Sequence, residues 1–415
     1  MSNSAGPQAV TRPYAAESAW LRIAKVFTLL GSLAIVAGGV TAGCIYVVVA
    51  LLALDRAGSA PLNSGVAGFS IFVLSLALGG ALLFQTVSAL SRRPSAAFHL
   101  PHPTVFALVF ILAVGLGSLV LWPGGLSRVL FPVLYVLGIG MPIGWVLAVT
   151  SRRLSRAGLS SSWRESILQL SSGAFITTSI AVVLEALALV GIILLAVIIL
   201  LLTPGGLEAL EAFSENIQQP GWAESAENLA GLLFSPPVVI SLFFLMCVVV
   251  PLIEELLKAA GVVLMSWRHP SPARALWWGL LGGAGFALAE GLFNSNLALG
   301  DMFWVLLAPM RFGTTLLHCL TGALMGLGWH ALLFNKRPLQ WLSRYALAVV
   351  IHAVWNALGL GLLFTSSGLS AASSRPASAS LTSLVLVTGL FLQAVLMGAW
   401  LLRIIQKPTA PGFDR

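Results

Sequence analysis

Ten apolar runs of about twenty residues or more follow one another along this chain, and they leave few folds open. They cover roughly 26–54, 66–90, 104–122, 129–150, 173–203, 237–266, 274–296, 302–333, 345–365 and 381–404. A helix needs about 20 such residues to cross a bilayer. The reading is an all-α polytopic bundle of ten transmembrane helices. Composition agrees: 58% of the 415 residues are hydrophobic and 9% are charged, against about a quarter charged in soluble domains. A soluble enzyme, a disordered regulator and a collagen-like fibre are excluded on that ground. Cys44, Cys247 and Cys319 sit inside apolar runs with no CxxC or ligand spacing, which argues against a disulfide framework and a cysteine-based zinc knuckle. The first run is too long for the apolar region of a cleaved signal peptide.

The loop charges test the count of ten. Basic residues should gather in every second loop if orientation follows the positive-inside rule. Seventeen of the 22 Lys and Arg do so, among them Arg12, Arg92, Arg93, Arg152, Arg153, Arg268 and Lys336. The opposite loops hold only Arg56, Arg128 and Arg375. One missing or extra span would scramble that alternation, so ten spans with both termini cytoplasmic is the expectation. The net charge of +8 is then a topology signal and not a nucleic-acid signature. The longest outer loop, about 204–236, carries Glu208, Glu211, Glu215, Glu224 and Glu227 and no basic residue. Its first half, LEALEAFSENI, could form a short amphipathic helix; the loop reads as solvated, with a lid over a site opening outward as the alternative. Residues 366–380, rich in Ser, Ala and Gly, read as a flexible outer linker.

Ionisable groups at mid-bilayer are expensive, so each one is a functional hypothesis. The first four spans hold none, and the fifth holds Glu185 alone. Glu254, Glu255, Lys258, Glu290, Arg311, His318 and His352 all fall in spans six to nine. Helical neighbours lie three and four residues apart. That spacing joins Glu254 and Glu255 to Lys258, Phe286 to Glu290, and His352 to Asn356, while Arg311 and His318 share a face at seven. Each helix thus carries one polar stripe, best buried against the others. Glycines such as Gly279, Gly283, Gly322 and Gly326 would let spans seven and eight approach closely. One lysine cannot neutralise two carboxylates. A glutamate left over could take a proton from water, and His or Asn could donate to a developing oxyanion. Pro251 marks a kink in span six. No cofactor is required by this set. A zinc-type metal on His318, His352 and Glu254 or Glu290 stays open, since zinc accepts two His and a carboxylate.

Glu254-Glu255-x-x-Lys258, then Phe286-x-x-x-Glu290, then Arg311 and His318, then His352-x-x-x-Asn356 resembles the PrsW family of intramembrane proteases. That family is similar to the wider group containing the Rce1-type CaaX proteases and bacteriocin-processing membrane proteins. The resemblance covers about 130 residues. It implies hydrolysis of a peptide bond in or beside a transmembrane segment of a membrane protein, such as an anti-sigma factor, in a bacterial cytoplasmic membrane. It further implies that Glu254 and Glu255 hold and activate water, that His318 helps hold it, and that His352 and Asn356 polarise the scissile carbonyl. Glu290 stands where Rce1-type enzymes carry His, so its role stays open. Lys258, Phe286 and Arg311 are supporting residues, with Arg311 expected to pair with Glu290.

The chain is therefore divided into a disordered N-terminus (1–25), a four-span accessory bundle (26–165), a fifth span with the acidic loop (166–236), the residues carrying the chemistry (237–365), and a linker, last span and tail (366–415). The partners expected are a membrane-protein substrate and the bilayer, with no nucleic acid and an oligomeric state left open. Two other classes compete with a protease: a non-catalytic scaffold of the same fold, and a proton-coupled transporter. Carriers often show inverted repeats with paired broken helices. The single break at Pro251 has no matching partner.

Overall fold

The computed structural model describes residues 19–52, 60–121, 127–293, 303–370 and 377–406. Ten helices in it are long and apolar enough to span a membrane. They are Ala19–Leu52, Leu62–Leu90, Pro103–Val120, Val129–Arg156, Trp163–Leu201, Pro236–Leu264, Pro272–Phe293, Trp304–Leu333, Pro338–Thr365 and Leu381–Gln406, here spans 1 to 10. Spans 3, 6, 7 and 9 open on proline, whose fixed φ and missing N–H suit a first helical turn. Ser162 caps span 5 by accepting from the Glu165 amide at 3.2 Å. The described residues contain no β-strand, only an isolated bridge between Ala97 and Ser162.

Two boundaries differ from the hydropathy reading. Span 1 begins at Ala19, inside the segment assigned to the N-terminal tail; residues 1–18 lie outside the described residues. Span 5 begins at Trp163, ten residues early. Its first turns are polar (Arg164, Glu165, Gln169), so hydropathy hides them. Some of their polar groups bond to neighbouring spans: Glu165 accepts from Trp278 Nε1, and Gln169 Nε2 donates to Gly261 O at 3.4 Å. The acidic loop contains two short helices, Gly206–Gln218 and Ala226–Leu233. The first covers the LEALEAFSENI segment, and the loop's five glutamates are exposed, as a solvated segment requires. Residues 371–376 of the Ser/Ala/Gly linker and 407–415 of the tail lie outside the described residues.

Spans 7 and 8 form the centre. Trp277, Trp278, Leu280, Leu281, Leu317 and Leu320 are among their fully enclosed side chains. The two helices touch backbone to backbone: a Cβ on Gly279 would lie 2.2 Å from Gly322 O, and one on Gly322 would lie 2.4 Å from Gly279 O. Only glycine permits that approach. A second cluster around Phe131, Tyr135 and Trp304 locks span 4 to this pair, and Tyr135 Oη donates to Gly291 O at 2.6 Å. Span 1 packs chiefly on span 2 at the periphery. From Thr178 onward, span 5 buries only Thr178 and Ala181, so most of its surface faces outward.

Candidate active site

Span 6 carries the first motif and is not a regular helix. Pro236–Phe244 is α-helical, Leu245–Val249 forms a π-helical turn, and Val250–Leu257 is α-helical again. The backbone bends once more after Lys258, where the Val262 amide bonds back only to Ala259 O, at 2.9 Å. Span 7 presses on that bend: a Cβ on Gly282 would lie 2.3 Å from Lys258 O. The kink expected at Pro251 is thus a π turn just before the proline.

The helical turn after Pro251 aims Glu254, Glu255 and Lys258 at span 9. Lys258 Nζ lies 2.5 Å from Glu255 Oε1 and 3.1 Å from Glu254 Oε2. The Glu254 contact is ionic, since Oε2 makes no hydrogen bond of proper direction. His352 Nδ1 lies 2.7 Å from Glu255 Oε1, 3.4 Å from Lys258 Nζ and 3.8 Å from Glu254 Oε2. Glu255 is fully enclosed, whereas Glu254 keeps 6% of its surface exposed. The lysine therefore touches both carboxylates, and the pair still exceeds it by one negative charge. Phe286 stacks under the ammonium at 5.1 Å, a cation–π contact that gives the phenylalanine of the second motif its place.

A second carboxylate–imidazole pair stands beside the first. His318 Nε2 lies 2.7 Å from Glu290 Oε2, and Arg311 Nη1 donates to Glu290 Oε1 at 3.1 Å, as the sequence suggested. The His318 and His352 rings meet edge to face at 5.5 Å, and Phe286 also covers His318 at 5.4 Å. Glu290 is the more open carboxylate, with 27% of its side chain exposed. All the motif residues on spans 6 to 9 therefore come together except Asn356. Its Nδ2 donates to Met246 O, at 2.7 Å, back along span 6.

Two contributors were not in the expected set, and a third, Glu185, is singled out in the sequence only as a lone intramembrane carboxylate. Tyr345 Oη donates to Leu252 O at 2.7 Å and ties span 9 to the motif helix. The Met246 carbonyl is the second. Glu185 is half-buried on span 5, whose later part packs on the helix carrying Glu254 and Glu255. Its signal in sequence was a lone carboxylate in an otherwise apolar helix.

The donor set bears on metal binding. Glu254, Glu255 and His352 each offer a ligand atom, and these atoms lie within 4.8 Å of one another. Glu255 Oε2 is buried and makes no hydrogen bond in the structure. Two carboxylates and an imidazole are ligands that a zinc-type ion accepts, so the group could hold a metal if the Lys258 ammonium moved aside. His318, which the sequence reading placed among the possible ligands, faces Glu290 instead.

Comparison with curated proteins and with solved structures gives no match. A family model described as PrsW family intramembrane metalloprotease matches residues 161–392, more than half of the chain. That stretch contains every residue of the cluster, and its description names a hydrolase working inside a membrane, where these buried carboxylates lie; the chain belongs to the PrsW family of intramembrane proteases.

Proposed function

We propose that the protein cleaves a peptide bond in or beside a transmembrane segment of another membrane protein, with Glu254 as the general base. The observation that carries this is the division of labour between the paired glutamates. Glu255 is held on both sides, by Lys258 at 2.5 Å and by His352 at 2.7 Å. Glu254 is less tightly bound and is the one with exposed surface. An anchored carboxylate beside a looser one suits a pair in which one orients water and the other takes its proton. The hydroxide equivalent adds to the scissile carbonyl carbon. His352, with Nδ1–H donated to Glu255, offers Nε2–H to the developing oxyanion in its imidazolium form, whose charge the neighbouring carboxylates balance. Glu254 then returns the proton to the leaving amine as the C–N bond breaks. Glu290 and His318 support His352 through ring contact and shape the more open side of the site.

Where a divalent ion is bound, Glu254, Glu255 and His352 would hold it, and it would supply Lewis-acid polarisation and a more acidic water. The basic loops favour both termini in the cytoplasm of a bacterial cell, with the acidic helices on the outer side. The substrate class is a membrane protein with a span cut in regulated fashion, as with an anti-sigma factor.

The test is a comparison of membrane-protein N-termini by mass spectrometry in cells lacking the protein. They are complemented with the wild type or with Glu254→Gln/Glu255→Gln. New termini near spans, present only with the wild type, support proteolysis and name the substrates. Identical termini under several envelope stresses would sink it in favour of a scaffold or a proton-coupled carrier.

A further inference from the structure

Asn356 is the motif residue that does not reach the carboxylates, and what it reaches is informative. In the π turn of span 6 the Val250 amide bonds to Leu245 O, five residues back. The next carbonyl, Met246 O, would in that register bond to the amide of residue 251. Residue 251 is proline and has no N–H. A carbonyl left unpaired at membrane depth is costly. Asn356 Nδ2 stands 2.7 Å from it. Four residues away on the same face of span 9, His352 holds Glu255. At the residue after Pro251 on span 6, Leu252 O accepts from Tyr345 Oη at 2.7 Å. Span 9 therefore grips span 6 on the backbone through Tyr345 and Asn356, and on the Glu255 carboxylate through His352, which lies between those two on span 9.

We infer that Asn356 is a positioning residue: its amide supplies the hydrogen bond that Pro251 cannot, and this fixes the rotation of the turn carrying Glu254 and Glu255. Its effect on cleavage passes through the Met246 carbonyl, and it does not act as a donor to the oxyanion. The inference rests on the proteolytic reading only for its kinetic half. The hydrogen bond itself is tested without any cleavage assay.

The experiment is a double-mutant cycle on the full-length protein, with wild type, Asn356→Ala, Pro251→Ala and the double variant. Alanine at 251 restores an N–H in register with Met246 O. Thermal midpoints are measured for all four, and kcat and KM on a membrane-protein substrate found by the terminus comparison. The expected result is that Asn356→Ala lowers the midpoint by a few degrees. It should also lower kcat by on the order of 100-fold, the scale of a misplaced catalytic group, with KM nearly unchanged. In the Pro251→Ala background the same substitution should cost less than half the thermal shift, and kcat should recover by about tenfold or more. Equal losses in both backgrounds, thermal or kinetic, would overturn the inference and return Asn356 to the oxyanion. Should Pro251→Ala alone abolish cleavage, the thermal cycle decides: coupling supports the inference and additivity overturns it. Proteolysis failing while the thermal coupling stands would count against the activity and leave the hydrogen bond intact.

Discussion

The two carboxylate–imidazole pairs are built from the same parts and differ in enclosure. Glu255 and His352 share an oxygen-to-nitrogen distance of 2.7 Å, and so do Glu290 and His318. Each carboxylate also has a basic partner, Lys258 or Arg311. Yet Glu255 is fully enclosed, while 27% of the Glu290 side chain is open. Lys258 is shared with a second glutamate, and Arg311 contacts Glu290 without one. Similar groups thus stand side by side in two degrees of enclosure, one pair closed and one partly open. Enclosure also sets the cost of error. Removing one partner of a buried ion pair strands the other charge, whereas a partly open pair can fall back on other partners.

The sharpest way to break the comparison is Lys258→Met. It strands two carboxylates in an enclosed site, and the expected loss is about 3–5 kcal/mol, seen as poor yield and a much lower thermal midpoint. Arg311→Met should cost clearly less, and an equal loss would erase the distinction. Next, Glu254→Gln and Glu255→Gln should each reduce cleavage by about 10²- to 10⁴-fold with expression retained. Full activity in both single variants would remove the mechanism. Glu290→Gln should fall below that, on the order of 10- to 100-fold, because it acts through His318 and not on the reacting atoms. A loss as large as that of Glu254→Gln would join the two pairs into one reacting centre. The smallest direct effect on the reacting groups is expected from Gly283→Ala, which acts through the fold. Its Cβ would meet His318 O, a backbone atom, at 2.0 Å, and the overpacking should cost about 3 kcal/mol or more. Cleavage at permissive temperature should weaken only as far as His318 is displaced. Chelator treatment sharpens the comparison separately: loss of activity restored by zinc would place a metal at the enclosed pair, measured as zinc bound per protein and abolished in His352→Ala.

Much of this was legible in the sequence because hydropathy is a one-dimensional signal. All ten spans could be read that way, since each is a long apolar run. The polar stripes could be read because residues three or four apart share a helical face, so Glu255–Lys258 and Glu254–Lys258 follow from spacing. Interhelical partners were less accessible. Arg311 and Glu290 could be matched by opposite charge, but His318 could be paired with Glu290 or with His352 equally well by type. The early start of span 5 was hidden because its first turns are polar, and partners such as Trp278 and Gly261 lie on other spans. The partner of Asn356 was hidden for a deeper reason. It is a backbone carbonyl, freed by a change of helical register that leaves no trace in residue type except Pro251.

The glycine contacts between spans 7 and 8 also bear on how the protein is made. These two helices are the least apolar of the ten and the most completely enclosed. Their glycine backbones are shielded by each other and by the surrounding spans, so either helix alone would present poorly covered backbone and buried-type polar groups to lipid. A newly synthesised chain therefore gains little by releasing them singly into the bilayer. They are best retained as a hairpin against the earlier spans until spans 9 and 10, which pack on span 8, have been made. The cell's insertion apparatus, and not hydropathy alone, then governs how much of the finished protein reaches the membrane.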